Sequence, residues 1–172
     1  MKKTFLYSVV ISLLFMLTSC KKEKSDTDST DYYMSAKVDG VQKTYKINAI
    51  AVKLQVDTVY SIGLSAFGDA ATGERFFLDI AQTNKPITTG TYVDAAAEEL
   101  LVVGGYNPGT TDDTKIYGAG LQIDNNPRLQ ITLSTLTATS VSGTFSGTYY
   151  DEGGDGTGTI AVTEGKFNLP LY

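Results

Sequence analysis

From Tyr32 onward the side chains alternate. In Ile50-Ala51-Val52-Lys53-Leu54-Gln55-Val56-Asp57 the even positions are large and apolar and the odd ones small or polar. Tyr60-Ser61-Ile62-Gly63-Leu64-Ser65-Ala66 repeats the pattern; in Leu129-Gln130-Ile131-Thr132-Leu133-Ser134 the odd positions are the apolar ones. A period of two sets one face of a strand on a core and the other in water. These runs therefore predict strands whose large apolar residues line the interior. β-branched and aromatic residues fill them, which suits a pleated surface.

Turn chemistry separates the runs. Asp39-Gly40, between Val38 and Val41, tolerates positive φ at both positions and predicts a tight hairpin. Residues 68–73, 107–113, 124–127 and 151–156 are rich in Gly, Asp, Asn and Pro and read as loops. Only Asp94 to Leu101 has a helical look, and it reads equally as a loop leading into Leu101-Val102-Val103. The expectation is about nine or ten antiparallel strands in one all-β domain over 32–172, a β-sandwich first and a β-barrel second. Gly63, Gly118, Gly120, Gly143 and Gly147 lie inside strands, where glycine marks bulges or bends. In the closing hairpin, Phe145, Gly147 and Tyr149 share a face, as do Ile160 and Val162. Lys166-Phe167 is expected to leave the strand, with Pro170 limiting further pairing.

The first twenty residues follow another rule. Met1-Lys2-Lys3 is a positive start, and Phe5–Leu17 is almost wholly apolar. That run is too short to span a bilayer, which takes about 20 apolar residues, but fits the core of a secretory signal. It ends in Leu17-Thr18-Ser19-Cys20, which contains the only cysteine of the chain. This resembles the bacterial lipoprotein signal with its lipobox. The resemblance implies a signal peptide over 1–19, palmitate-type acylation of Cys20, and an outer-membrane location on its surface or periplasmic side. Acyl burial contributes about 0.8 kcal/mol per methylene, so two or more chains anchor stably. The segment 20–31 continues as KKEKSDTDSTD after the cysteine and cannot pack a core. As a flexible tether its eleven residues would reach roughly 18–20 Å.

The two ends of the domain carry a further resemblance. Val141-Ser142-Gly143-Thr144-Phe145-Ser146-Gly147 and Gly158-Thr159-Ile160-Ala161-Val162-Thr163-Glu164-Gly165-Lys166-Phe167 look like the closing hairpin of small Bacteroidota lipoproteins. Tyr33–Gly40 resembles their opening strand. That family has no assigned activity and implies no catalytic residues. It also leads one to expect a tryptophan after the first turn. This chain has none, and Tyr45 stands near that place.

Composition narrows the chemistry. Loss of Lys2 and Lys3 with the signal leaves 12 basic against 19 acidic residues, a net charge of −7. Without a basic footprint, nucleic acid is not an expected partner. There is no histidine, so no Ser-His triad or imidazole base, and the single cysteine is assigned to lipid rather than to catalysis, a disulfide or a metal. A non-enzymatic role is expected, with no cofactor beyond the covalent lipid. The remote alternative is a carboxylate hydrolase using Glu74 with Asp79, or Asp151 with Glu152. Asp79 is expected to face away from Phe76, Leu78 and Ile80. No metal is expected; Asp151, Glu152 and Asp155 are the least poor calcium ligands, although their spacing fails the EF-hand pattern and reads as a hairpin turn. Binding remains as the expected role. Ten tyrosines follow the signal. Tyr32, Tyr106, Tyr117 and Tyr150 are the candidates for a recognition surface facing a glycan or an envelope protein. The expected function is thus a lipid-anchored accessory or binding module, with a carbohydrate-binding lipoprotein of a glycan-uptake system as the alternative.

Overall fold

The computed structural model describes residues 31–69, 71–94, 99–109, 115–120, 128–152 and 158–172. The chain divides into two units, 1–30 and 31–172, and all described residues belong to the second. Cys20 and the tether up to Thr30 lie outside them.

Unit 31–172 is all-β. Its strands are β1 (Tyr33–Val38), β2 (Val41–Tyr45), β3 (Ile47–Val56), β4 (Val59–Asp69), β5 (Glu74–Thr83), β6 (Gly90–Val93), β7 (Leu100–Asn107), β8 (Tyr117–Gly120), β9 (Leu129–Leu136), β10 (Ser140–Asp151) and β11 (Thr159–Pro170). The named strands pair antiparallel in a single sheet ordered β2-β1-β11-β10-β8-β7-β5-β4-β3. The sheet curls until it is nearly closed. Across the gap, Ala51 of β3 bridges Leu171 in parallel. Lys53 N donates to Tyr172 O at 2.9 Å, and Tyr172 N to Ala51 O at 3.0 Å.

Turn residues behave as their chemistry dictates. Asp39 and Gly40 take φ of 47° and 79°, the primed turn that matches strand twist. Asp57 takes φ of 51° in the two-residue β3–β4 turn, between the paired Val56 and Val59. In the closing hairpin the register slips between Phe145 and Gly147, a bulge that a glycine accommodates. Leu100–Asn107 is strand; residues 95–98 of the expected helical turn lie outside the described residues.

β10 divides the sheet. Its first half pairs with β9, Val141–Gly147 opposite Leu136–Leu129, and β9 in turn pairs with β6. Its last residues, Tyr150 and Asp151, pair instead with Gly118 and Tyr117 of β8. The two branches separate at Leu129, where Asp94 is inserted.

The interior of the curl holds the core: Met34, Phe76, Leu78, Ile131, Phe145, Tyr149 and Leu169 among others, each at 3% exposure or less. Phe76 is its aromatic centre, with Tyr45, Tyr106, Phe145 and Tyr149 at centroid distances of 4.8–6.0 Å. Such edge and offset contacts add to simple burial.

Two expectations are corrected. β3 has the opposite phase. Ala49 and Ala51 face the core, while Val52, Leu54 and Val56 are 37%, 57% and 66% exposed. Ala51, which bridges Leu171 at the closure of the sheet, is fully buried. Lys166-Phe167 does not leave the sheet either. β11 runs to Pro170, with Phe167 and Leu169 buried. Pro170, opposite Ser140, is the last strand residue.

Candidate functional site

A charged cluster closes one side of the interior. Lys43 on β2, Glu74 at the start of β5 and Tyr106 on β7 all project inward; β5 and β7 are neighbours in the sheet, whereas β2 lies at the far end of the sheet order. Glu74 Oε1 accepts from Lys43 Nζ at 2.6 Å, Tyr106 Oη at 2.9 Å and Tyr45 Oη at 3.2 Å. Lys43 also donates to Tyr106 Oη at 3.0 Å and lies over its ring. Burial works against the Lys43 ammonium, but its bonds to Glu74 and Tyr106 prevail and leave its pKa above the ordinary lysine value. Burial, followed by the Glu74 charge, raises the Tyr45 phenol far above its usual range. Burial raises Tyr106 too; the bond from Lys43 opposes this and Glu74 adds to it. One carboxylate oxygen thus carries three donors and ties β2 to β5 and β7. The cluster acts as a latch across the closing sheet.

The four singled-out tyrosines do not share a surface. Tyr106 and Tyr117 are brought together, stacked at 6.2 Å, but Tyr106 is 3% exposed with its hydroxyl in the latch. Tyr32 is partly buried against the core beside the first strand. Tyr150 lies on the outer face, where the Arg128 guanidinium covers its ring at 4.5 Å. Beside it an open cleft of about 440 Å³ is lined by Arg128, Gln130, Ser146, Thr148 and Tyr150. Strand alternation explains the split, since Tyr149 fills the core while its neighbour Tyr150 points out.

The carboxylate pairs separate in the same way. Glu74 faces inward on the latch. Asp79, on the outer face of β5, rests its carboxylate over Gly63, where an added Cβ would meet Asp79 Oδ1 at 2.7 Å. Burial raises the Asp79 pKa above the usual carboxylate value. Asp151 sits opposite Tyr117 and against Gly158, whereas Glu152 folds over Gly118. Asp155 lies outside the described residues. Among the described residues no three or more His, Cys, Asp or Glu side chains gather in a group that could hold a metal ion.

Asp94 escaped the sequence reading. It is 4% exposed. Its Oδ1 accepts from Arg128 N at 2.7 Å and Leu129 N at 2.6 Å, pinning the start of β9. Asp94 N returns a bond to Leu129 O at 3.1 Å, and Thr148 N donates to Arg128 O at 2.8 Å. The fork of the sheet, and with it the placement of Arg128 over the outer cleft, depends on this residue. Nothing in a lone Asp before three alanines signals that role.

The domain is therefore an antiparallel all-β unit whose sheet is nearly closed, with a satisfied polar latch inside and a polar cleft outside. No family model, no curated protein and no solved structure matches the chain.

Proposed function

We propose that this chain is a lipid-anchored, non-catalytic binding module of the bacterial outer membrane, held by acyl chains on Cys20. The observation that carries this reading is the lone cysteine at the end of Leu17-Thr18-Ser19-Cys20, after a positive start and a short apolar run. The net charge of −7 after signal removal, the absence of histidine and the charged, wholly polar tether sequence support it. Metabolic labelling with a palmitate analogue tests the anchor. The parent chain is expected to take up label and fractionate with the envelope, and Cys20→Ser to do neither. A Cys20→Ser variant that still sediments with membranes overturns the proposal.

The Tyr150 cleft favours a second reading, carbohydrate binding within a glycan-uptake system. Gln130, Ser146 and Thr148 supply hydrogen-bonding groups beside the Tyr150 ring, one face of which Arg128 occupies, a pairing that suits a sugar's hydroxylated edge and apolar face. Affinity electrophoresis in gels containing soluble polysaccharides tests it. Tyr150→Ala should weaken retardation by about tenfold, the equivalent of one lost aromatic contact. Equal migration of parent and variant across the polysaccharides would remove the carbohydrate reading and leave the anchor intact.

A further inference from the structure

The stretch Lys53-Leu54-Gln55-Val56-Asp57 reads cation, apolar, polar, apolar, anion. It lies at the end of β3, the last strand in the sheet order. Leu171 and Tyr172 cover the free edge of β3 only as far as Lys53. Those bonds use the backbone groups of Ala51 and Lys53, so odd-numbered residues face this edge. By alternation the N–H and C=O of Gln55 face it too. No bond covers them among the described residues. Leu54 and Val56 are 57% and 66% exposed. Lys53 and Asp57 are exposed and have no ion-pair partner among the described residues.

We propose that this edge pairs with the same edge of a second copy, antiparallel about a two-fold axis through Gln55. Placing the strand against itself matches the side chains at every position, with the backbone exchange confined to Gln55 because Tyr172 O already holds Lys53 N–H. Gln55 meets the second copy's Gln55 and exchanges both backbone bonds with it. Leu54 meets the second copy's Val56, and Val56 the second copy's Leu54, at the closer, non-hydrogen-bonded positions. Lys53 meets the second copy's Asp57, and Asp57 the second copy's Lys53. The sequence is thus complementary to itself in charge and in apolar contact.

The contact also limits itself. On one side Tyr172 blocks extension past Lys53. On the other, Asp57 turns the chain away with φ of 51°. An exposed edge is ordinarily a route to open-ended aggregation. Here the two-fold contact consumes the edge of both copies and closes at a dimer. The proposal is independent of the anchoring reading.

Disulfide trapping in the full chain tests it. Cα atoms of a hydrogen-bonded antiparallel pair sit about 5.5 Å apart, within disulfide reach. Gln55→Cys should cross-link to a dimer under mild oxidation. The parent chain, with Cys20 alone, and Thr163→Cys, on an exposed site of β11, should not. Adding Lys53→Glu or Asp57→Lys to Gln55→Cys sets like charges across both symmetry-related pairs and should slow the trapping about tenfold. Mixing the two charge variants puts opposite charges across both pairs and should restore the rate. Far-UV circular dichroism confirms that each variant is folded, and Lys53→Glu alone decides if Asp57→Lys is not. Trapping of Gln55→Cys no faster than Thr163→Cys, indifference to Lys53→Glu, or failure of two folded charge variants to rescue one another overturns the proposal. Each of these results points to a different occupant of the edge or to none.

Discussion

Raising the pH through the phenol range should unfold this domain over a narrow window, because Tyr45, Tyr106 and Tyr149 are buried. They are 1%, 3% and 0% exposed. Burial raises all three above the ordinary phenol value; for Tyr149 the Asp94 charge adds to it, and for Tyr45 and Tyr106 Glu74 does. In the unfolded chain each ionises near the reference pKa of about 10. The folded state then holds more protons than the unfolded state at any pH above that value. Stability is fully present below pH 10 and falls as pH rises. The slope is about 1.4 kcal/mol per pH unit for each tyrosine, hence about 3 kcal/mol for Tyr45 and Tyr149, whose shifts are large; Tyr106 adds to it in the same direction. Integration over those two gives a loss of about 3 kcal/mol at pH 11 and about 5–6 at pH 12. Domains are stable by about 5–15 kcal/mol, so the transition belongs near pH 12 or above. Lys43 acts in the same direction, since its folded pKa is also raised.

The chain has no tryptophan, which leaves tyrosinate absorbance unobscured. Ionisation of the buried tyrosines should appear in a single step coincident with loss of the strand signal in circular dichroism. Tyr149→Phe should remove about half of the slope at little cost at neutral pH, because its hydroxyl is buried without a hydrogen-bond partner among the described residues. Smooth titration of every tyrosine near pH 10, with the strand signal intact, would refute the argument.

Three substitutions follow from the same packing. Asp94→Ala leaves two backbone N–H groups at the head of β9 without their acceptor and should cost about 2–4 kcal/mol in urea unfolding. Asp94→Asn keeps an oxygen there and should cost about half as much; equal costs for the two would deny Asp94 its pinning role. Gly104→Ala brings a Cβ to 2.7 Å from Tyr149 Oη and 3.0 Å from Leu78 Cδ2, so a loss of about 1–3 kcal/mol is expected. That strain should shrink in a Tyr149→Phe background, and a thermal melt unchanged by Gly104→Ala would count against the packing described. Asp79→Asn removes a carboxylate that burial disfavours in its charged form and should leave the melting temperature at pH 7 unchanged or raised; a lower value would mean that Asp79 has a stabilising partner.

The class of fold was open to reading because period-two alternation is local. Each strand writes its own inward face, and Phe76-Phe77-Leu78-Asp79-Ile80 states without help that Asp79 points away from the core. The Asp39-Gly40 turn is likewise local, since two residues fix its backbone. What alternation cannot say is which face looks inward when both carry apolar residues. β3 offers alanines on one face and Val52, Leu54 and Val56 on the other. Burial of the larger set would be expected from transfer free energy alone. The inward face is the one with the alanines, and Ala51 meets its partner at the sheet closure, Leu171, 120 positions away, which no local pattern encodes. Tyr106 misled for the same reason. Its neighbours Gly104, Gly105 and Asn107 suggest a surface strand near a loop, and its burial comes from Lys43, Glu74 and Phe76, all distant in sequence.

That reversal of β3 links its sequence to the edge proposed for dimerisation. With its alanines turned inward, the strand packs against the C-terminal residues and helps to close the sheet, which costs it the burial of three large apolar side chains. Such a sacrifice destabilises a monomer by roughly 1.5–3 kcal/mol for each side chain left in water instead of the core. Selection for stability alone would replace Leu54 and Val56 with threonine or lysine, which suit an exposed strand face at no such cost. Their presence between Lys53 and Asp57 is economical if a second copy covers them. Leu54→Thr and Val56→Thr separate the alternatives. Both should leave monomer stability nearly unchanged, because neither side chain touches the core, and both should slow cross-linking through Gln55→Cys. A fall in monomer stability with unchanged cross-linking would return these residues to the fold and remove them from the interface.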